Sequence, residues 1–286
     1  MTQARNAVSA PALVAYAWDG KSLPFDNLQL DVPPQFSLLV FDYSGTHSSG
    51  PSTLRGQEAL LLSHATEGKG EVLCSLAEHL IATGVTPEYV AVIDDDIVLS
   101  VSQLNLALAL GRRANLDAFS PTLSGDSFFS HPWTVTRGKR TYREEGWVEI
   151  MMPFYRGSLF LAGRDFYRGN ISSWGVDCYL IPMLQQISGE TRTAVLDTVV
   201  ARHVRPVTSG DRVFKNGLMA HQEMEAMREV CIAHLQARAP QFLGTAWFQR
   251  FFGPWGQNSW PYRIRRRWRD LIGRVDFRNS GGLEPP

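Results

Sequence analysis

The run Tyr89-Val90-Ala91-Val92-Ile93-Asp94-Asp95-Asp96 decides how this chain is read. An apolar stretch of strand length stops at three carboxylates, and Ile97, Val98, Leu99 and Ser100 lead on into a helix. Carboxylates this close repel one another unless water or a cation screens them. In open α/β sheets ligands bind beyond the carboxyl ends of the strands. Asp94 and Asp96 are hard oxygen ligands of the kind that suits Mn2+ or Mg2+ in such a place. Alternation along an extended chain puts these two on one face and Asp95 on the other. The alternative for a lone Asp-x-Asp is a solvated acidic turn after an edge strand.

The segments on either side of this run read as α/β. Residues 13–17 are a short apolar strand closed by the turn Trp18-Asp19-Gly20, and residues 36–41 are a second buried strand after Pro33-Pro34. The second strand ends at Asp42-Tyr43-Ser44-Gly45, with no GxGxxG fingerprint, so a dinucleotide site is not expected. Val72, Leu73, Leu76, Leu80 and Ile81 recur at helical spacing, and Gly84 with Pro87 ends that helix. Lys69, just ahead of it, either meets a phosphate or is solvated. Strand 36–41, this helix and strand 89–93 make a βαβ unit and so a parallel pair. The helix after the acids carries Leu104, Ala107, Leu108 and Gly111, with Ser100 or Ser102 as its cap.

Residues 118–121 form another short strand. Between 124 and 145 the chain is polar and basic, Arg137, Lys139, Arg140 and Arg143 interleaving with Trp133 and Tyr142. A loop this long is either a lid over a phosphorylated ligand or simply solvated. Residues 146–153 and 158–161 read as strands. Asp177 stands in the first turn of a helical run through Tyr179, Leu180, Met183 and Ile187, where a carboxylate serves as a cap or meets the helix dipole. A β-rich stretch from 193 to 200 leads to His203, either a structural residue or a ligand.

The last third differs in character. Residues 219–235 are strongly helix-forming, and beyond Pro240 come Phe242, Trp247, Phe248, Phe251, Phe252, Trp255 and Trp260. Arg263, Arg265, Arg266, Arg267 and Arg269 follow, interleaved with Ile264 and Trp268. Such a segment lies on an anionic membrane, stacks on bases, or packs on the domain with its arginine heads in water.

Composition sets the outer bounds. A chain of 286 residues buries a real core, and 28 basic against 28 acidic side chains give no overall attraction to nucleic acid. Cys74, Cys178 and Cys231 show no metal spacing, and an odd count makes a poor disulfide framework. The first ten residues lack the regions of a signal peptide, and no run approaches the ~20 apolar residues of a spanning helix. The expectation is a cytoplasmic protein, with peripheral contact to the inner face of a membrane through residues 260–274.

Taken in order, Asp94-Asp95-Asp96, Gly146-Trp147-Val148-Glu149, Trp174-Gly175-Val176-Asp177 and His203 resemble the GT-A glycosyltransferases. Together with Phe41-Asp42-Tyr43-Ser44-Gly45 they look most like the family catalogued as domain of unknown function 707, known from plants and bacteria. The resemblance spans about residues 41–207 and leaves out the aromatic-basic C-terminus. The chain also lacks the cysteine-bearing insert of plant members before Gly146. The resemblance implies a GT-A-like, mixed, mostly parallel α/β sheet flanked by helices over residues 1–210; the residues themselves read as a helical extension over 211–286 with a disordered tail from about 279. It implies a nucleotide-sugar donor and a Mn2+ or Mg2+ ion on Asp94, Asp96 and His203. Asp42, Lys69 and Asp95 would contact the donor, and Trp147, Trp174 and Gly175 a glycan or lipid-linked acceptor of the kind used in bacterial surface polysaccharide or lipopolysaccharide synthesis. Asp177 is the candidate base, and Glu149 a second candidate for base or acceptor hydrogen bond. A dedicated base implies inversion, with retention as the alternative. The rivals are a non-catalytic glycan- or lipid-binding module of the same fold, and a metal-dependent phosphoryl-transfer enzyme, for which no second carboxylate cluster offers a two-metal site.

Overall fold

The computed structural model describes residues 11–138, 140–207 and 210–253. In chain order its strands are β1 (Leu13–Trp18), β2 (Leu28–Gln29), β3 (Ser37–Asp42), β4 (Gly50–Leu54), β5 (Gln57–Ser63), β6 (Tyr89–Ile93), β7 (Ile97–Ser100), β8 (Ala118–Leu123), β9 (Arg143–Glu144), β10 (Phe154–Arg156) and β11 (Thr193–His203). The helices are α1 (Lys69–Ala82), α2 (Val101–Arg113), α3 (Gly157–Ala162), α4 (Arg164–Tyr167), α5 (Ile181–Ser188), α6 (Ala220–Arg238) and α7 (Ala246–Phe251). One sheet runs β2-β7-β11-β8-β10-β6-β1-β3-β5-β4, with β9 paired beside β11. β5, β3, β1, β6, β8 and β11 point the same way, and β2, β4, β7, β9 and β10 oppose them. The fold is thus a mixed, mostly parallel sheet flanked by helices.

The central strands are buried on both faces, which is why they read as unbroken apolar runs. All five residues of β6 are buried between β1 and β10. α1 covers the sheet with Leu73, Leu76 and Leu80. α2 opens on a reciprocal capping box in which Ser100 accepts from the Gln103 N–H and Gln103 answers at the Ser100 N–H. Ser100 is therefore the cap; Ser102 instead bonds Asp31.

Three expectations change. β3 and β6 are parallel but not neighbours, since β1 lies between them. The crossover through α1 starts from β5, the second strand of a hairpin that sequence reading passed over. That hairpin is an edge element of mostly half-buried and exposed side chains, and its one apolar run is the short Ala59-Leu60-Leu61-Leu62. Its turn gives it away in retrospect: Arg55 and Gly56 both have positive φ (51° and 77°), as a type I′ turn requires. Residues 146–153 are not a strand but a buried loop, with Val148, Met151 and Met152 in the interior. Residues 158–161 lie in α3, not in a strand; Gly157 opens that helix where an added Cβ would lie 1.9 Å from the Pro87 carbonyl oxygen.

The chain divides into two compact units, Met1–Cys231 and Ile232–Pro286. The first continues past the boundary expected at residue 210 because the segment after β11 is tied back to it. The Glu223 carboxylate accepts the Ile171 and Ser172 N–H groups (2.8 and 2.6 Å), and Lys215 pairs with Glu71. In the second unit, Phe242, Phe251 and Phe252 gather around Trp247, with ring centroids 5.6–6.1 Å apart. The arginine-tryptophan segment 260–274 and the tail from 279 lie outside the described residues. Among the described residues no helix is long and apolar enough to cross a membrane.

Candidate functional site

The acidic triplet ends β6 in a turn rather than in extended chain. The Asp94 N–H donates to the Met151 carbonyl (3.0 Å) and the Ile97 N–H to the Asp94 carbonyl (3.2 Å), which reverses the backbone so that β7 can pair with β11. The expected two-faced alternation therefore does not hold. Asp95 and Asp96 converge on one guanidinium, that of Arg205, through its Nη2 and Nε respectively. Asp94 goes to Lys69 instead.

Lys69 sits at the start of α1 with its ammonium directed at Asp94 Oδ1 (2.6 Å) and at the carbonyls of Val92 and Met151 (both 3.0 Å). Its three donors are thus spent inside the protein, and it is neither solvated nor turned toward a ligand. Burial pushes the Asp94 carboxyl up to about 6, with Lys69 pulling it back. Burial also raises Asp95, against a hydrogen bond from Tyr43 (2.8 Å) and the charge of Arg205. Asp96 has the opposite outcome: burial works against its charge, but His203 and Arg205 hold it below the usual carboxylate range.

His203 comes from the end of β11, where it pairs with Ile97. Its Nδ1 lies 2.8 Å from the Phe128 carbonyl oxygen, which only accepts, so Nδ1 carries the proton. The other nitrogen, Nε2, faces Asp96 Oδ2 at 3.3 Å. A carboxylate oxygen and a ring nitrogen facing each other attract only through a cation between them, either a proton or a metal ion. Burial disfavours the imidazolium, yet Asp96 raises the His203 pKa overall. A ring nitrogen fixed by a backbone carbonyl on its far side is also the common arrangement of a metal-bound histidine. Asp96 Oδ1 is buried without a hydrogen-bond partner. Asp96 and His203 therefore fit a divalent ion as two ligands. Among the described residues no group of three or more His, Cys, Asp or Glu side chains could hold one, so the expected third ligand, Asp94, does not join them.

Two further acids lie below this edge. The buried loop 146–153 carries Glu149, and a five-residue π-helical turn, Val176–Leu180, carries Asp177. The two segments are joined where Asp177 Oδ2 accepts the Ile150 N–H at 3.2 Å. The cap of the turn is Gly175, and no side chain caps it, so Asp177 is not a capping residue. Burial raises Asp177 to about 6, with the Cys178 and Ile150 N–H groups resisting. Burial, and after it the charge of Asp177, raises Glu149 to about 8, with Ser130 resisting. Glu149 Oε2 has no hydrogen-bond partner. Near neutral pH Asp177 is ionised and Glu149 protonated, which separates two adjacent acids into an acceptor and a donor of protons.

The other expected site residues divide. Trp147 packs edge-on against His131 and Trp133, each 5.0 Å away, in an aromatic cluster beside Glu149 in sequence. Trp174 is 38% exposed, next to the turn that carries Asp177. Gly175 has a backbone reason for being glycine: its φ is +89°, and a Cβ there would lie 2.8 Å from the Met227 Cβ. Asp42 is wholly buried, and both its oxygens are used within its own loop and β5, by the N–H groups of Ser44, Thr46 and His47 and the hydroxyls of Ser44 and Ser63. It builds that loop and does not reach out of it toward a nucleotide. In the basic loop, Arg143 is buried on Asp197 (2.8 Å) and the Trp133 carbonyl (2.9 Å). With Arg137, Arg140 and Tyr142 it lines a cavity of about 520 Å3 on that loop. Sequence reading assigned no role to Arg205 or Tyr43. Arg205 carried a usable signal, since it stands two residues beyond His203 and so on the same side of an extended chain.

No protein-family model matches the chain, and no curated protein does. Among solved structures, S. aureus TarS 1-349 in complex with UDP-GlcNAc overlaps 85% of this chain and 78% of its own, at 14% identity and a TM-score of 0.48. The same protein in complex with UDP overlaps 84% and 77%, at 14% identity and a TM-score of 0.44. A197 from STIV overlaps 73% and 92%, at 11% identity and a TM-score of 0.37.

Proposed function

We propose that the chain is a metal-dependent, inverting glycosyltransferase of GT-A-like architecture, which moves a sugar from a nucleotide-sugar donor to a hydroxyl of a glycan or lipid-linked acceptor. The observation that carries this reading is Asp96 facing His203 at the sheet edge, together with two buried acids on joined segments, Asp177 bonded to the Ile150 N–H and Glu149 with its orphaned Oε2. Asp96 and His203 would hold a Mn2+ or Mg2+ ion. When bound, the ion supplies Lewis-acid neutralisation of the charge that builds on the departing diphosphate. Asp95 is held by the Tyr43 hydroxyl at 2.8 Å.

The transfer itself exchanges one bond for another. The acceptor oxygen forms a bond to the anomeric carbon as the bond from that carbon to the diphosphate oxygen breaks. The acceptor's proton passes to Asp177, and the bonding pair leaves with the nucleoside diphosphate. Attack from the face opposite the leaving group inverts the anomeric carbon. Glu149, protonated, donates a hydrogen bond to a sugar oxygen, which gives its unpartnered Oε2 an acceptor; it is a poor base at neutral pH. Trp147 and Trp174 offer flat apolar faces to the acceptor's rings.

The test is a panel of nucleotide sugars, with and without Mn2+, read by thermal shift and by transfer to oligosaccharide acceptors. A ligand at a hundred times its Kd stabilises by ~2.7 kcal/mol, a shift that is easy to see. Metal-dependent stabilisation with release of nucleoside diphosphate is expected. Binding with no turnover on any acceptor or water would point instead to a binding module, and phosphodiester cleavage without sugar release to a phosphoryl-transfer enzyme.

A further inference from the structure

We propose that Arg205 is a resident counter-cation of the donor site: it holds Asp95 and Asp96 while the site is empty, and moves to the diphosphate when a cation-bound donor enters. The inference rests on the reading of this edge as a donor site and adds a residue that reading does not use.

Charge is the first argument. Asp94, Asp95 and Asp96 bring three carboxylates, and Lys69 and Arg205 bring two permanent cations against them. With both in place one negative charge remains, too little to hold a divalent ion firmly. With Arg205 withdrawn two remain, which matches the ion. Lys69 cannot be the one that leaves. Its side chain is 12% exposed, and two backbone carbonyls share its ammonium with Asp94. Arg205 is 54% exposed and makes its ion pairs at the open side of the carboxylates.

Geometry is the second. The oxygen of Asp96 that faces His203 Nε2 at 3.3 Å is the one Arg205 Nε holds at 3.2 Å. The guanidinium therefore lies where an ion shared by Asp96 and His203 would compete with it. The backbone holds Arg205 close by in either state, because the Val204 N–H donates to the Asp96 carbonyl at 3.1 Å, one residue before the arginine. The side chain needs only a change of rotamer to exchange partners.

Energetics favour the exchange. Arg205 is itself half-exposed and well solvated once it leaves, so its departure costs little on its own side. A guanidinium on a diphosphate makes parallel charge-assisted hydrogen bonds to a doubly or triply charged group. An incoming metal takes over the carboxylates and brings the anion that Arg205 prefers. The residue thus couples the two binding events: it opposes metal alone and favours metal with diphosphate.

The experiment uses the full chain and the variants Arg205→Gln and Arg205→Lys, with Mn2+ alone followed by the electron paramagnetic resonance of the free ion, and Mn2+ with UDP, GDP or ADP followed by calorimetry. Removing a neighbouring cation should tighten Mn2+ alone in Arg205→Gln by about tenfold. The same variant should bind the preferred nucleoside diphosphate with Mn2+ about tenfold or more weakly, the worth of a lost charge-assisted hydrogen bond. Arg205→Lys should resemble the parent for Mn2+ alone and fall between the two for the diphosphate; if Arg205→Gln does not fold, a diphosphate affinity in Arg205→Lys equal to the parent's overturns the proposal. Unchanged Mn2+ affinity in Arg205→Gln would show that Arg205 does not occupy the ion's place, and unchanged diphosphate affinity that it does not receive the anion; either overturns the exchange and leaves the donor site standing. A parent protein that binds neither Mn2+ nor any of the three diphosphates overturns the donor-site reading and this inference together.

Discussion

Replacing Glu149 by Gln should make the ligand-free protein more stable near neutral pH, and by an amount that depends on pH in a set direction. The folded carboxyl titrates near 8 against a reference of 4.5, because burial and then the Asp177 charge oppose its ionisation. Below both values the group is protonated folded and unfolded, and contributes no difference. As pH rises past 4.5 the unfolded chain releases the proton while the folded chain keeps it, so stability falls until the folded group also ionises near 8. At pH 7 the accumulated penalty is about 3 kcal/mol. Glutamine has the same shape, accepts the hydrogen bond of Ser130 through its amide oxygen, and cannot ionise. Glu149→Gln should therefore match the parent near pH 4 and exceed it by about 3 kcal/mol near pH 7, or roughly 6–12 °C in melting temperature for a domain of this size. The assay is a series of melts of both proteins from pH 4 to 9, without metal or nucleotide. A stability difference that is the same at both ends of that range would refute the reasoning, since it would come from packing and not from a proton.

Asp177→Asn keeps the acceptor oxygen for the Ile150 N–H but cannot take a proton, so transfer should fall ~10²–10⁴-fold with no loss of melting temperature; a fully active variant would move the base elsewhere. In the parent, kcat/KM should rise with pH as Asp177 ionises near 6 and fall as Glu149 loses its proton near 8. A profile flat across both limbs in a rate-limiting-chemistry assay would remove both acids from the mechanism. Gly175→Ala forces a side chain into a left-handed φ and against the Met227 Cβ, and should cost about 1–3 kcal/mol in urea unfolding; no loss would mean that the turn relaxes away from α6.

The residues that sequence reading placed well are those whose role follows from their own element. β6 is buried on both faces, so its apolar run was visible without any knowledge of its neighbours. The same cue misled at residues 146–153, where the side chains are equally apolar but the chain is a loop buried beneath the site. Short apolar runs report burial and not conformation. Lys69 shows a different limit: its partners, Val92, Asp94 and Met151, are up to 82 positions away, and no local pattern reveals such a contact. Asp42 stands at a strand's carboxyl end, the usual place for a ligand contact, yet its oxygens are used up by the hydroxyl-rich loop that follows it. A strand-end acid followed by Ser, Thr and His could have been read as the anchor of its own loop.

The buried groups this edge leaves unsatisfied differ in what they lack, and that difference favours one order of events. Asp96 Oδ1 is an acceptor without a donor or cation, and Glu149 Oε2, carrying a proton, is a donor without an acceptor. Each costs stability in the empty protein, because a buried polar atom has given up water without replacement. A metal-bound diphosphate supplies positive charge and satisfies the first atom only. A sugar oxygen satisfies the second only. If donor and acceptor bind to different orphans, the stabilisation by metal and nucleoside diphosphate should survive intact in Glu149→Met, which has no N–H or O–H to donate, while any stabilisation by acceptor should shrink. The pairing also bears on sequence of binding: Arg205 screens Asp96 until a diphosphate draws it away, whereas nothing comparable guards Glu149. On the proposed exchange the donor side alone is gated by a charge, so a sugar that carries no phosphate has no means of drawing Arg205 from Asp96.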